Sequence, residues 1–181
     1  MESRDRSERG ATLVEASLML PMMILIMIGL LETGLAFKDY LTVSFAAREG
    51  ARVGALAGNN PDADCEIVHA VIDALGVSGL GDFEGIEIYQ ADPATGNPVA
   101  GKTNTWEYTG TDPYDCVNDW TVTENWVATN RNVAYGPTSP LDIIGVRVQV
   151  THDWITGMPP FSGDFIVDEA TISRLEPESF E

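Results

Sequence analysis

The chain has 181 residues, 28 acidic and 10 basic, for a net charge of −18. This balance excludes a nucleic-acid binder working through a basic face, because neutralising phosphates takes clustered Lys and Arg. It also argues against adhesion to anionic lipid by a polybasic patch, while 44% apolar residues are enough for a packed core. Residues 53–181 hold only Lys102, Arg131, Arg147 and Arg174 against 21 acidic residues, a net charge of −17. Such a segment repels its own copies and stays soluble; a high-salt habitat, where screening tames the repulsion, is one setting for it.

The N-terminus begins with mixed charge, Arg4, Arg6 and Arg9 against Glu2, Asp5 and Glu8. Ala16 to Leu31 then runs 16 residues without a charge, and extending back to Ala11 gives 21 residues with one carboxylate, Glu15. At ~1.5 Å per residue that reaches roughly 30 Å, about one hydrocarbon thickness. The segment reads as a membrane helix over 11–36. Pro21 inside it is compatible, because prolines are tolerated in membrane helices.

Three readings fit. The first is a cleaved secretory signal peptide, with small residues Gly34-Leu35-Ala36 before a cut that would leave Phe37 first. Against it, the apolar core is long and the leading region has no net positive charge. The second is a plain anchor. The third accounts for Glu15, since an ionisable group inside a membrane segment costs about 2.5–3.5 kcal/mol and is a functional candidate by default. A cut after Gly10 would make Ala11 the new N-terminus and Glu15 the fifth residue. The freed α-amine is largely cationic at neutral pH, and a carboxylate four residues on shares its helix face. Glu15 could then pair with its own amine or with that of a neighbouring copy.

A short charged leader, a glycine, and an apolar helix with glutamate at the fifth mature position resemble the class III signal of type IV prepilins and pseudopilins. The stretch GATLVEASLMLPMMILIMIGLLETGLAF is similar to the TadE-like minor pilins of tight-adherence (Tad/Flp) systems. Phe45-Ala-Ala-Arg-Glu-Gly-Ala-Arg52 resembles that family's motif after the membrane helix. Ala170-Thr-Ile-Ser-Arg-Leu-Glu-Pro177, following a Val-rich strand and His152-Asp153-Trp154, resembles its C-terminal strand. The likeness spans 9–57 and 143–177 and leaves 58–142 without a counterpart. It implies a structural, non-enzymatic protein cleaved by a prepilin peptidase between Gly10 and Ala11, with Glu15 as the assembly residue. It further implies a cytoplasmic leader over 1–10, a single pass through the cell membrane, and an acidic extracytoplasmic domain over 37–181. The implied partners are the peptidase, other pilins or pseudopilins of the system, and membrane lipid, with incorporation into a pilus as one outcome. The charge flanks do not set orientation: three Lys or Arg precede the span, and three (Lys38, Arg48, Arg52) fall in 33–52.

Good helix formers continue to Ala57, and Gly58-Asn59-Asn60-Pro61 is a stop. One helix is expected over 11–57, bent near Pro21 or Gly34. Tyr40, Val43, Ala47, Gly50, Ala51 and Gly54 share a face of mostly small residues, and two helical glycines there point to close approach of another backbone. The protein's own sheet is the favoured neighbour over a helix in an assembly. The Gly50-x-x-x-Gly54 spacing outside an apolar run carries little weight as a dimerisation motif. A second helix is expected with Asn60 as cap and Pro61 first, ending at Leu75 before Gly76, with Ile67, Val68, Val71, Ile72 and Leu75 at helical spacing.

The remainder reads as β. Gly85–Ala91 alternates, turns follow at Asp92-Pro93 and Gly96-Asn97-Pro98, and Thr103–Thr109 is a short strand. Residues 110–142 read as a long ordered loop holding Trp120 and Trp126. Ile143–Thr151 is the clearest strand, with Ile144, Val146, Val148 and Val150 on one face, and Phe165–Leu175 is the last. Helices first and strands later give an α+β class with a small antiparallel sheet.

Cys65 and Cys116 are the only cysteines. An even count in an exported domain suggests one disulfide, with two buried thiols as the alternative. No metal set or cofactor is expected, since His69 and His152 form no recognised motif with them. Asp62-x-Asp64-x-Glu66 resembles the start of a calcium loop but has Ile67 where glycine is expected; helix-end acidity is the simpler account. Asp112, Asp115, Asn118 and Asp119 form a second oxygen-rich group. No nucleophile, zinc or phosphate-loop motif occurs, and no N-x-[ST] sequon. Trp106, Trp120, Trp126 and Trp154 read as core filling, with a sugar-binding platform as the alternative. The rival to the pilin reading is a membrane-anchored extracytoplasmic module binding calcium or glycan through 110–142.

Overall fold

Period-two hydrophobicity in the second half and period-3.6 hydrophobicity in the first are satisfied by a five-stranded sheet and two helices. A computed structural model describes residues 2–76, 83–134, 136 and 140–177, with backbone only for 2–11. Helix α1 is Glu2–Ala57 and α2 is Ala63–Leu75; the strands are β1 Phe83–Ala91, β2 Pro98–Tyr108, β3 Trp120–Thr123, β4 Ile143–His152 and β5 Phe165–Arg174. The sheet order is β3-β2-β1-β4-β5, with every neighbouring pair antiparallel. This is the α+β class expected.

The chain divides into two units, one made of Met1–Phe37 with Trp154–Gly163, the other of Lys38–Asp153 with Asp164–Glu181. In the first, α1 continues unbroken through Pro21 and Gly34. In the second, β1 and β4 supply the floor of the core: Ile86 faces Val148 and Ile88 faces Val146 across the ladder. Ile86, Ile88, Ile144, Val146 and Val148 are fully buried. Alternation places all of them on one face of the pleat.

Two helices cover that face. Helix α2 buries Ile67, Val68, Val71, Ile72 and Leu75, as their helical spacing predicts. From α1, Val43, Ala46, Ala47, Gly50, Ala51, Gly54 and Ala55 are buried. The small residues matter because α1 lies against both α2 and the sheet. A Cβ at Gly50 would fall 2.7 Å from Val71 Cγ2 and 3.1 Å from Val146 Cγ1. One at Gly54 would fall 2.9 Å from both Ile144 Cδ1 and Ile67 Cδ1. The favoured reading of the small face, contact with the protein's own sheet, is what the structure has, with α2 sharing the contact. Tyr40 departs from the expected face and is 43% exposed; the buried stripe begins one turn later, at Val43.

The opposite face of the sheet sets charged pairs around one buried aromatic. Tyr89 is 1% exposed and stands across from Gly145, whose missing side chain leaves room for its ring. Arg147 lies over that ring at 5.8 Å and bonds Glu87, its cross-strand neighbour, at 2.7 Å. Burial pushes the Tyr89 hydroxyl above its ordinary pKa.

Several boundaries differ from expectation. Helix α2 starts at Ala63 with Asp62 as its cap position, because residues 59–62 form a turn in which Asn60 accepts from the Asp62 amide at 3.2 Å and the Ala63 amide at 3.0 Å. Strand β2 begins at Pro98, since the 92–97 turn closes on the Asp92 carboxylate, which accepts from the Ala94 and Thr95 amides at 2.9 Å. Those bonds hold its pKa below the usual aspartate value. Residues 110–142 are not all loop: they contain β3 and a 3₁₀ turn, Ala128–Asn130. Edge strand β3 is only four residues long and mostly exposed, so alternation had little room to register.

Replacing Gly54 by Val is expected to destabilise the fold by about 1–3 kcal/mol through overpacking. Urea unfolding of the full chain in detergent measures it; an unchanged midpoint would contradict the close approach of α1 to α2 and β4.

Candidate functional site

Residues 12–27 of α1 have no protein cover. Leu13, Val14, Leu18, Met19, Leu20, Met22, Met23, Ile24, Leu25, Ile26, Met27, Leu30 and Leu31 are each between 49% and 72% exposed, on all sides of the helix. A helix apolar all round needs an apolar surrounding. This one is long and apolar enough to cross a membrane. Its hydroxyls turn inward on the helix: Ser17 donates to the Val14 carbonyl and Thr33 to the Gly29 carbonyl, both at 2.8 Å, as polar groups in such surroundings must.

Glu15 is the one charged side chain from Thr12 to Leu31; it is exposed and has no ion-pair or hydrogen-bond partner among the described residues. Gly10 and Ala11 lie in helical backbone, and their surroundings fall outside the described residues.

The next acid, Glu32, is different and was not singled out by its sequence context. It is 1% exposed. Its carboxylate accepts from the Thr156 amide at 2.7 Å, the Thr156 hydroxyl at 2.8 Å and the Ile155 amide at 3.2 Å. The β4–β5 connection is therefore bonded to α1 within the first unit.

The second unit ties its irregular segments down with buried polar groups. Asp64 pairs with Arg131, whose side chain is wholly buried and lies 4.6 Å from the Trp126 ring centre. Asn104, 0% exposed, donates to Asp64 at 2.7 Å and to the Trp126 carbonyl at 2.8 Å. Its oxygen accepts the amides of Asn125 and Trp126 at 2.9 and 2.7 Å. Asp64 is therefore an internal partner of Arg131, which removes it from the calcium-like Asp62-x-Asp64-x-Glu66 series. His152 Nδ1 meets Asp39 Oδ2 at 2.6 Å, joining the end of β4 to α1.

Cys65 and Cys116 form a disulfide between α2 and the 110–119 segment, with Cα atoms 5.9 Å apart. His69 Nε2 lies 3.5 Å from each sulfur and 2.9 Å from the Tyr114 carbonyl oxygen. The three side chains cluster tightly, but sulfurs bonded to each other are not the thiolates a metal centre needs. Tyr114 donates to Asp73 at 2.6 Å, and this bond raises the Tyr114 pKa.

The oxygen-rich group beyond it is occupied by its own loop. Asp119 accepts the Thr111 and Asp112 amides, at 2.9 and 2.5 Å. Asp115 accepts the Asn118 side-chain amide at 2.8 Å and the Val117 and Asn118 backbone amides at 3.1 and 3.0 Å, which lowers its pKa. Among the tryptophans, Trp106, Trp120 and Trp126 are buried and belong to the core. Trp106 and Trp120 meet at 6.1 Å, and Trp120 also meets Tyr108 at 5.3 Å and Phe83 at 5.8 Å. A four-tryptophan surface platform is thereby replaced by core packing; Trp154 alone is half-buried.

An uncovered apolar helix attached to an α+β unit fits a membrane-anchored protein with one N-terminal span. Residues 10–52 match the family model described as TadE-like protein, consistent with a protein of Tad pilus systems. The match covers the apolar helix and the FAAREGAR segment, and does not reach 143–177. No curated protein and no solved structure matches the chain.

Removing the Asp64 carboxylate would leave Arg131 charged and buried, at a cost of about 3–5 kcal/mol. Asp64→Ala is expected to lower the urea midpoint accordingly, and Arg131→Met in the same chain to restore part of the loss. Equal midpoints for wild type and Asp64→Ala would contradict the buried pair.

Proposed function

We propose that this chain is a minor pilin or pseudopilin of a Tad-type pilus system, with a structural rather than enzymatic role. The observation that carries the reading is the family match, which begins at Gly10 and runs through an apolar helix whose side chains over 12–27 are uncovered. A prepilin peptidase cuts between Gly10 and Ala11 and leaves the 1–10 leader in the cytoplasm. The helix stays in the cell membrane among those of other pilins or pseudopilins, and residues 37–181 lie on its extracytoplasmic side. In the mature chain, Glu15 meets the α-amine of Ala11 on a neighbouring copy. A carboxylate that costs energy in lipid then gains a cation at the same depth.

The residues set the direction of the tests. With Gly10→Leu, co-expression with the peptidase is expected to leave the chain uncut, read as retention of the full mass; normal shortening would refute the cleavage site. Glu15→Ala is expected to insert normally but to enter pilin assemblies about 5–30-fold less, the equivalent of an interhelical polar contact of ~1–2 kcal/mol in the membrane. Crosslinking yields in membranes report it, and yields equal to wild type would remove Glu15 from the assembly role.

A further inference from the structure

Between Asp153 and Asp164 the chain carries ten consecutive residues without a charge, Trp154 to Gly163, within a half of the protein dense in carboxylates. This segment belongs to the same unit as the apolar helix. Glu32 holds it by the backbone amides of Ile155 and Thr156. A Cβ at Gly29 would lie 3.6 Å from the Phe161 ring, so the ring packs where the helix is narrowest. Trp154 rests on Phe161 with ring centres 5.3 Å apart.

The outward side of this loop is apolar. Ile155 is 75% exposed and Met158 48%, in the same unit as Leu30 at 70% and Leu31 at 61%. Counting from Thr12 at ~1.5 Å per residue, Gly29 to Glu32 lie roughly 26–30 Å along the helix, one hydrocarbon thickness from its start. The loop therefore meets α1 at the level of a bilayer interface, where tryptophan is favoured and where an apolar wedge with a polar, hydrogen-bonded base is stable. Glu32 suits that depth because three donors replace the water it gives up.

We propose that residues 154–163 form a second membrane contact, in which Ile155, Met158 and the Trp154–Phe161 pair enter the headgroup–acyl boundary beside the end of the membrane helix. The occupant of this surface is lipid, because the surface continues the uncovered apolar face of the helix itself. With Asp153 and Asp164 at its ends and no cation within it, the loop binds by apolar insertion and does not depend on anionic lipid. The inference rests on membrane anchoring by α1 and is independent of processing at Gly10.

The test uses the full chain reconstituted at low density in phosphatidylcholine vesicles. Flotation with the vesicles first reports insertion of the helix. Tryptophan emission is then compared with vesicles of phosphatidylcholine brominated near the ester end of its chains. One of four tryptophans lies in the loop, so the expected loss is at most about a quarter of the emission. The loss is expected to vanish in Trp154→Phe and to shrink in Ile155→Asp. A chain that floats with unchanged emission overturns the proposal. So does a loss that persists undiminished in Trp154→Phe. In the first case, dependence of Trp154 emission on protein density would assign the surface to a second copy of the chain.

Discussion

One continuous helix has to satisfy two different surroundings, and much of the structure follows from how its sequence divides between them. Over residues 12–27 the side chains are mostly large, apolar and uncovered on every side. From Val43 to Ala55 they are small and buried along one face. The change is abrupt because the physical demands differ. Lipid-facing helix needs only apolar bulk and satisfied backbone. The core-facing part must fit between α2 and β4, where the space beside Gly50 and Gly54 is too small for a methyl group without displacement. Helix propensity alone would favour Ala at both positions by up to about 1 kcal/mol, so close packing overrides it.

A second theme is the use of buried, hydrogen-bonded polar groups to hold irregular backbone. Glu32 fixes the β4–β5 connection through two amides and a hydroxyl. Asn104 holds the segment around Trp126 and touches Asp64, which in turn neutralises Arg131. The Cys65–Cys116 disulfide ties α2 to the aspartate-rich loop across 51 positions. In the chain-entropy description such a closure stabilises by roughly 4 kcal/mol through the unfolded state. Much of the high negative charge stays exposed, as carboxylates that accept loop amides or face solvent.

The parts of this architecture legible in the sequence are those with a local signature. Alternation over Ile143–Thr151 marks β4 and its buried face, and helical spacing marks α2 and its stop at Gly76. The small face of α1 points to close contact before any partner is known. Non-local chemistry leaves no such mark. Glu32 ends an apolar run with no local mark of burial; its burial depends on backbone more than a hundred residues away. Asp64 sits in an acidic series that resembles ligand spacing, and only the fold shows that Arg131 reaches it. Strand β3 is four residues on a sheet edge, too short for its period to emerge from the Asn- and Asp-rich stretch around it. The charge-free interval 154–163 is visible in the sequence, but its meaning comes from its seat on Gly29 and Glu32.

The pilin reading turns on the N-terminus, where a single bond decides between a processed subunit and a fixed anchor. The most direct measurement is the intact mass of the protein isolated from its native membrane, with its first residue identified by sequencing. The account predicts a chain beginning at Ala11, with Glu15 fifth. A chain still beginning at Met1 would contradict processing and leave a plain anchor; one beginning at Phe37 would contradict the membrane helix as well.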